Sequence, residues 1–80
     1  MDIKVLGFGI AREIMGGPQV TLPLVSGATV ADMKAVLEHQ FPQLGKLATY
    51  MVAVNNEYAD AEHPIKANDE IAIIPPVSGG

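Results

Sequence analysis

Residues 28–42 read ATVADMKAVLEHQFP, and the fold prediction rests first on the helix signals in this segment. Thr29 is a preferred helix N-cap, and Asp32 follows at the spacing of a capping box. Pro42 ends the segment, because the residue before a proline avoids the α region. The apolar residues between these signals follow helical spacing and form one stripe: Val30, Met33, Val36, Leu37 and Phe41. We predict that this is the main helix, and its single apolar face requires one sheet.

Two strands are predicted before this helix, at residues 3–8 and 19–24, with a short helix at 10–15 between them. The alternation in the first strand gives it one apolar face and leaves Phe8 on the opposite, partly exposed face. Pro23 cannot donate a hydrogen bond to a neighbouring strand, so it places the second strand near an edge of the sheet or lies at a strand end.

The segment after the helix carries the remaining strands. Residues 51–54 have the composition of a buried strand, and Asn55-Asn56 can supply the positive φ angles of a tight turn into a further short strand. Residues 71–74 are apolar throughout, which predicts a central strand. The order predicts an α+β domain of the β-grasp type, a mixed sheet of four to five strands with one main helix across one face. We assign residues 1–74 to this domain and 75–80 to an extended, flexible tail.

Composition excludes several classes of function. The 80 residues contain no cysteine, so disulfides, thiolate metal sites and cysteine nucleophiles are excluded, and a reducing cytoplasm is the expected location. The five basic residues are scattered and the net charge is −4, so no nucleic-acid partner is expected. No apolar run approaches the roughly 18 residues that span a bilayer, so no membrane association is expected either.

The side chains offer little chemistry of their own. His39 and His63 lack the spacing of a metal site and are interpreted as surface residues. The glycines do not form a phosphate-binding loop. We therefore expect no metal and no bound cofactor, and a self-contained enzyme is difficult to build from this sequence.

The last eight residues, 73–80, read IIPPVSGG and offer main-chain chemistry instead. Pro75 and Pro76 fix φ and end sheet pairing, so they stiffen the departing chain, and the final six residues could reach about 20 Å. Gly79 and Gly80 have no Cβ and could pass through a narrow channel. The terminal carboxylate is an acyl group that ATP can activate for attack by sulfur or by an amine. By itself, such an ending is also typical of a flexible tail.

Several segments together match one known pattern: Ile3–Leu6 with Phe8, Ala11–Glu13, Ala28–Val30 with Leu37, Val54-Asn55 with Glu57, His63-Pro64 and, most specifically, residues 68–80. On these segments the chain resembles the small subunit of molybdopterin synthase, a ubiquitin-like sulfur-carrier family, over essentially its full length. Gly7 and Gly9 depart from the pattern, because the family often has an aromatic residue and an alanine there. Ile73 and Ile74 replace residues that are often aromatic.

The resemblance implies a β-grasp fold and a role in molybdenum cofactor biosynthesis. A ubiquitin-activating-like adenylyltransferase would use ATP to adenylate Gly80, and a sulfur donor protein would supply the sulfur of a thiocarboxylate. The tail would then enter the synthase large subunit and pass sulfur to cyclic pyranopterin monophosphate. The expected assembly is a heterotetramer in which the large subunit provides the catalytic side chains.

The resemblance also implies a role for particular residues. Gly80 is the acyl and sulfur site. The tail-insertion segment comprises Val77, Ser78, Gly79 and Gly80, and the partner interface comprises Phe8, Ile74, Pro75 and Pro76. For Phe8 and Ile74, plain core packing is an equal alternative. Other functions also stay open: a related carrier for thiamine, tRNA thiolation or cysteine synthesis, a protein modifier conjugated through Gly80, or an interaction module with an idle tail.

Overall fold

The computed structural model describes residues 1–47 and 49–75. The elements follow in this order: β1 (Asp2–Gly7), α1 (Gly9–Met15), β2 (Gln19–Pro23), α2 (Val30–Gln40), a 3-10 helix (Pro42–Lys46), β3 (Met51–Val54), β4 (Glu57–Tyr58) and β5 (Glu70–Ile74). The predicted α+β architecture is confirmed, with five strands in one mixed sheet and α2 as the main helix.

The sheet has the strand order β2-β1-β5-β3-β4. Its central strands, β1 and β5, run parallel, and the other neighbours are antiparallel. The central position of β5 and the edge position of the strand containing Pro23 are both as predicted. Because β1 and β5 are parallel, their carboxyl ends lie side by side, and Gly7 is the register partner of Ile73. The chain after β5 therefore leaves the sheet beside the start of α1.

The hydrophobic core lies between the sheet and the helices. In β1 and β5 the buried side chains occupy alternate positions, as the period of two of a half-covered sheet requires. The largest fully buried side chains are Ile3, Leu22, Met33, Leu37, Leu44, Ile71 and Ile73. Val30, Met33 and Leu37 bring the apolar stripe of α2 into this core, as its spacing predicts.

The beginning of α2 has the predicted capping box. The backbone N–H of Asp32 donates to Oγ1 of Thr29 at 3.3 Å, and the backbone N–H of Thr29 donates to Oδ2 of Asp32 at 3.0 Å. These bonds satisfy donors that have no partner within the helix, and the Asp32 charge is favourable at the positive end of the helix dipole. The start of α2 is therefore encoded locally.

Two features differ from the sequence-based expectations. The first strand ends at Gly7, and Phe8 is the N-cap of α1. Helix α1 packs closely on the strand end, since a Cβ on Gly7 would lie only 3.2 Å from Cα of Arg12. The 3-10 helix after α2 was not predicted, because it carries only one buried apolar residue, Leu44, and has no periodic pattern. In the part of the chain that the structure describes, no helix has the length and hydropathy needed to cross a membrane.

Candidate partner-binding surface

The face of the sheet opposite the core carries an apolar surface. We call this side the open face. Because side chains alternate between the two faces of a strand, the residues between the core positions lie on the open face. The strand register aligns these residues in rows. Leu6 pairs with Ala72, Ala72 with Ala53, and Ala53 with Tyr58. A continuous apolar row thus crosses four strands of the sheet.

A second apolar row lies beside the first, nearer the carboxyl end of β5. Ile74 is the register partner of Met51, which is half exposed. Phe8 follows β1 directly, and its side chain is 50% exposed. The opposite half of the open face is polar, with Lys4 paired to Glu70. The apolar half of the open face therefore coincides with the end of the sheet from which the chain leaves β5.

The apolar half forms a depression of about 320 Å³. Its lining residues are Leu6, Phe8, Ala53, Asn56, Tyr58, Glu70, Ala72 and Ile74. The two alanines lie in neighbouring strands at the centre, and larger side chains surround them. A concave apolar surface with a polar rim is typical of a protein-binding site, because a partner's side chain can fill it and be removed from water.

The polar turns at the other end of the sheet are held by side-chain hydrogen bonds. Asn55 donates from Nδ2 to Oδ1 of Asp69 at 2.9 Å and accepts at Oδ1 from the backbone N–H of Glu70 at 3.0 Å. The backbone N–H of Lys66 donates to Asp69 at 2.8 Å and, with the bond from Asn55, lowers the pKa of the Asp69 carboxyl below its ordinary value. Asn55 and Asp69 therefore fasten two turns together.

The ThiS family matches residues 5–80. The chain belongs to the ThiS family. Among its relatives, the molybdopterin synthase sulfur carrier subunit of Arabidopsis thaliana is 42% identical, and the alignment covers 100% of this chain and 84% of that protein. The protein of the same name from Dictyostelium discoideum is 40% identical, with 99% of this chain and 96% of that protein covered.

A solved structure supports the fold assignment of this ThiS family member. SAMP1, the small archaeal modifier protein 1 of Haloferax volcanii, superposes with a TM-score of 0.88 at 28% identity, and the match covers 100% of both chains. The predicted β-grasp fold and the resemblance to sulfur carriers are thus confirmed.

The structure places the predicted interface residues that it describes close together. Phe8 and Ile74 both lie on the open face, outside the core, and Pro75 follows Ile74 at the edge of the apolar half. Core packing is therefore not the role of Phe8 or Ile74. Pro76 and the insertion segment 77–80, with Gly80, lie outside the described residues. Their roles, and the boundary between domain and tail, stay predictions.

Most residues of the apolar half were not predicted from the sequence to belong to a site. The missed residues are Leu6, Met51, Ala53, Tyr58 and Ala72. Leu6 was given no role, and the segment containing Ala53 was interpreted only as a buried strand. The available signal was the alternation of Met51 and Ala53 with Val52 and Val54 along β3. Across the described residues, no group of three or more histidine or carboxylate side chains is placed to hold a metal ion, and His39 and His63 are both exposed.

A polar contact on the helix side of this ThiS family domain joins α2 to the segment before β3. The hydroxyl of Tyr50 donates to the carboxylate of Glu38, and Nζ of Lys34 lies 4.8 Å from the centre of the Tyr50 ring. Partial burial raises the pKa of Tyr50 above its ordinary value, and the hydrogen bond and negative charge of Glu38 raise it further. The contact therefore requires a protonated tyrosine.

This contact predicts a loss of stability at alkaline pH. A tyrosine whose pKa is higher in the folded state contributes its full stability below the unfolded pKa of about 10, and loses it as the pH rises beyond that value. In urea titrations, the midpoint of the parent protein should fall more steeply above about pH 10 than that of Tyr50→Phe. At neutral pH the variant should be less stable by about 1 kcal/mol, the typical value of one hydrogen bond. Parallel curves for the two proteins would contradict the prediction.

Proposed function

We propose that this chain is the sulfur-carrier small subunit of a molybdopterin synthase. Two relatives that carry this name are 40% and 42% identical to it along nearly its whole length. The structural observation that carries the proposal is the position of the apolar half of the open face, directly beside the point where the chain leaves β5. A partner bound there would receive the tail in its active site.

The reaction uses the main chain of the tail and no side chain of the domain. An adenylyltransferase joins the Gly80 carboxylate to the AMP portion of ATP and releases pyrophosphate. A sulfur donor protein then supplies sulfur to the acyl carbon, AMP leaves, and a thiocarboxylate remains. In the large subunit this sulfur passes to cyclic pyranopterin monophosphate, and water returns the Gly80 acyl group to a carboxylate. Because each carrier delivers one sulfur, two thiocarboxylated carriers are used per dithiolene. The carrier itself binds no cofactor, since ATP binds to the activating partner.

The synthase large subunit is the proposed occupant of the apolar half of the open face. Phe8 and Tyr58, which are 50% and 67% exposed, offer aromatic rings of the kind that dominate binding energy in protein interfaces. Ala53 and Ala72 leave space between these rings for an apolar side chain of the partner. We propose the heterotetramer as the assembly and the cytoplasm as its location, in keeping with a sequence that lacks cysteine.

The proposal is tested by mass spectrometry. Incubation with a cognate adenylyltransferase, ATP and a sulfur source should exchange one oxygen for one sulfur at Gly80, and adding the large subunit and the pterin precursor should reverse the exchange. A chain that lacks Gly80 is the matched control and should stay unchanged, because it ends one residue short of the active site. An unchanged mass of the full chain would exclude the proposal.

A protein modifier is the second candidate, because the chain also superposes on a small archaeal modifier protein. In that role the activated Gly80 carboxylate would form an isopeptide bond with a lysine amine. Conjugates of higher mass in cells, lost when Gly80 is deleted, would favour it. A chain that gains sulfur but cannot convert the pterin precursor with any cognate large subunit would instead favour a carrier for thiamine, tRNA thiolation or cysteine synthesis.

A further inference from the structure

The residue that lies against the start of the tail is Gly9. It is the first residue of α1 and has a φ of +55°, a conformation that residues with a side chain seldom adopt. A Cβ on Gly9 would lie 3.1 Å from Cγ of Pro75. A side chain on Gly9 would therefore crowd the proline ring, and a branched side chain would force the ring to move.

The backbone around this contact is fixed on both sides. The N–H of Phe8 donates to the carbonyl oxygen of Ile73 at 3.3 Å, which joins the start of α1 to the end of β5. Pro75 is two residues further along, and its own φ is locked near −65°. A rigid ring that rests on a fixed backbone determines the direction in which the following chain leaves the domain.

We infer that Gly9 is a positioning residue for the C-terminal tail: by leaving room for the Pro75 ring, it sets the direction in which the tail leaves the sheet. The inference rests on the proposed function, in which the tail must enter two different active sites. Gly9 does not touch the reacting carboxylate. Its effect on the reaction is transmitted through Pro75.

Helix α1 provides a matched control at its other end. Gly16 has a φ of +78° and no heavy atom within 4 Å of the position of a Cβ. A side chain at either glycine strains the backbone and weakens the same helix, but only a side chain at Gly9 collides with Pro75. An alanine would displace the ring by only a few tenths of an ångström, so valine is the informative substitution.

The kinetic test compares adenylation of Gly9→Val and Gly16→Val by a cognate adenylyltransferase. Gly9→Val should lower kcat by roughly 10- to 100-fold, because small misplacements of a reacting group cost this much. Gly16→Val should retain nearly the full kcat. An equal loss in the two variants would overturn the inference, since it would assign the effect to backbone strain.

A double substitution tests whether the effect passes through Pro75. Removing the ring with Pro75→Ala also removes the collision, so Gly9→Val combined with Pro75→Ala should be no slower than Pro75→Ala alone. Such non-additivity is the sign of a shared contact. Losses that simply multiply would contradict the proposed route.

Nuclear magnetic resonance tests the inference without any partner. The parent and Gly16→Val should show a nuclear Overhauser effect between Hα of Gly9 and Hγ of Pro75, and residual dipolar couplings at Val77 and Ser78 should change only in Gly9→Val. Absence of the Overhauser effect in the parent, or unchanged couplings in Gly9→Val, would overturn the inference. A parent chain that is not adenylated but passes this test would contradict only the proposed function.

Discussion

Replacing Phe8 with aspartate should weaken binding of the synthase large subunit by roughly 30-fold or more, the effect of losing one aromatic hot spot of about 2 kcal/mol. The ring is half exposed beside the apolar depression, so its removal takes little from the core. The new carboxylate would lose its hydration on binding, and the proposed interface contains no cation known to pair with it. The loss should therefore appear in binding and not in folding.

The fold should tolerate this substitution because of where Phe8 lies. Phe8 is the N-cap of α1 and makes no side-chain capping bond there. Aspartate is among the preferred N-cap residues and can accept a bond from the first turn of the helix. Thermal unfolding of Phe8→Asp should therefore begin at a temperature close to that of the parent.

The measurement is a calorimetric titration of the cognate large subunit with each variant. Thr21→Asp makes the same change of charge on the polar half of the open face, where Thr21 is exposed and pairs with Lys4. It should bind like the parent at physiological salt. Phe8→Leu keeps an apolar side chain and should bind with intermediate affinity. An unchanged dissociation constant for Phe8→Asp would place the interface elsewhere.

The elements predicted correctly from sequence are those that short-range signals encode. Helix α2 begins where the reciprocal bonds of Thr29 and Asp32 require, and both signals lie within four residues. Asn55 and Asn56 take positive φ angles of 52° and 71° at the predicted turn, because their side chains tolerate this conformation. The edge position of β2 followed from Pro23, because proline has no backbone N–H to donate to a neighbouring strand. In each case the information lies beside the residue that uses it.

The candidate surface was less predictable, because it depends on strand register. Ala53 and Ala72 are neighbours only when β3 and β5 pair antiparallel in the observed register, and 18 intervening residues separate them along the chain. The bond between Asn55 and Asp69 depends on the same pairing. The packing of Pro75 on Gly9 requires the parallel pairing of β1 and β5 in addition. Contacts of this kind cannot be derived from local propensity.

A large loss of stability is expected when a buried side chain of the core is truncated. Ile71→Ala should lower the free energy of unfolding by about 2–5 kcal/mol, the usual cost of truncating a large buried aliphatic side chain. Ile71 is fully buried, and its register partners in the adjacent strands, Val5 and Val54, also belong to the core. Small domains have total stabilities of about 5–15 kcal/mol, so this loss would be a large fraction of the stability of a domain at the lower end of that range.

Ile74→Ala is the matched control for this prediction, because it makes the same change in the same strand on the opposite face. Ile74 is only partly buried and lies on the open face, so its truncation should lower stability by about 1 kcal/mol or less, in proportion to the smaller area it buries. It should instead weaken binding of the large subunit. Urea titrations with equal slopes give the two stabilities, and calorimetry gives the two affinities. The prediction requires that Ile71→Ala lose more stability and that Ile74→Ala lose more affinity, because β5 contributes one face to the core and the other to the proposed interface. Equal stabilities of Ile71→Ala and Ile74→Ala would contradict this division of the strand.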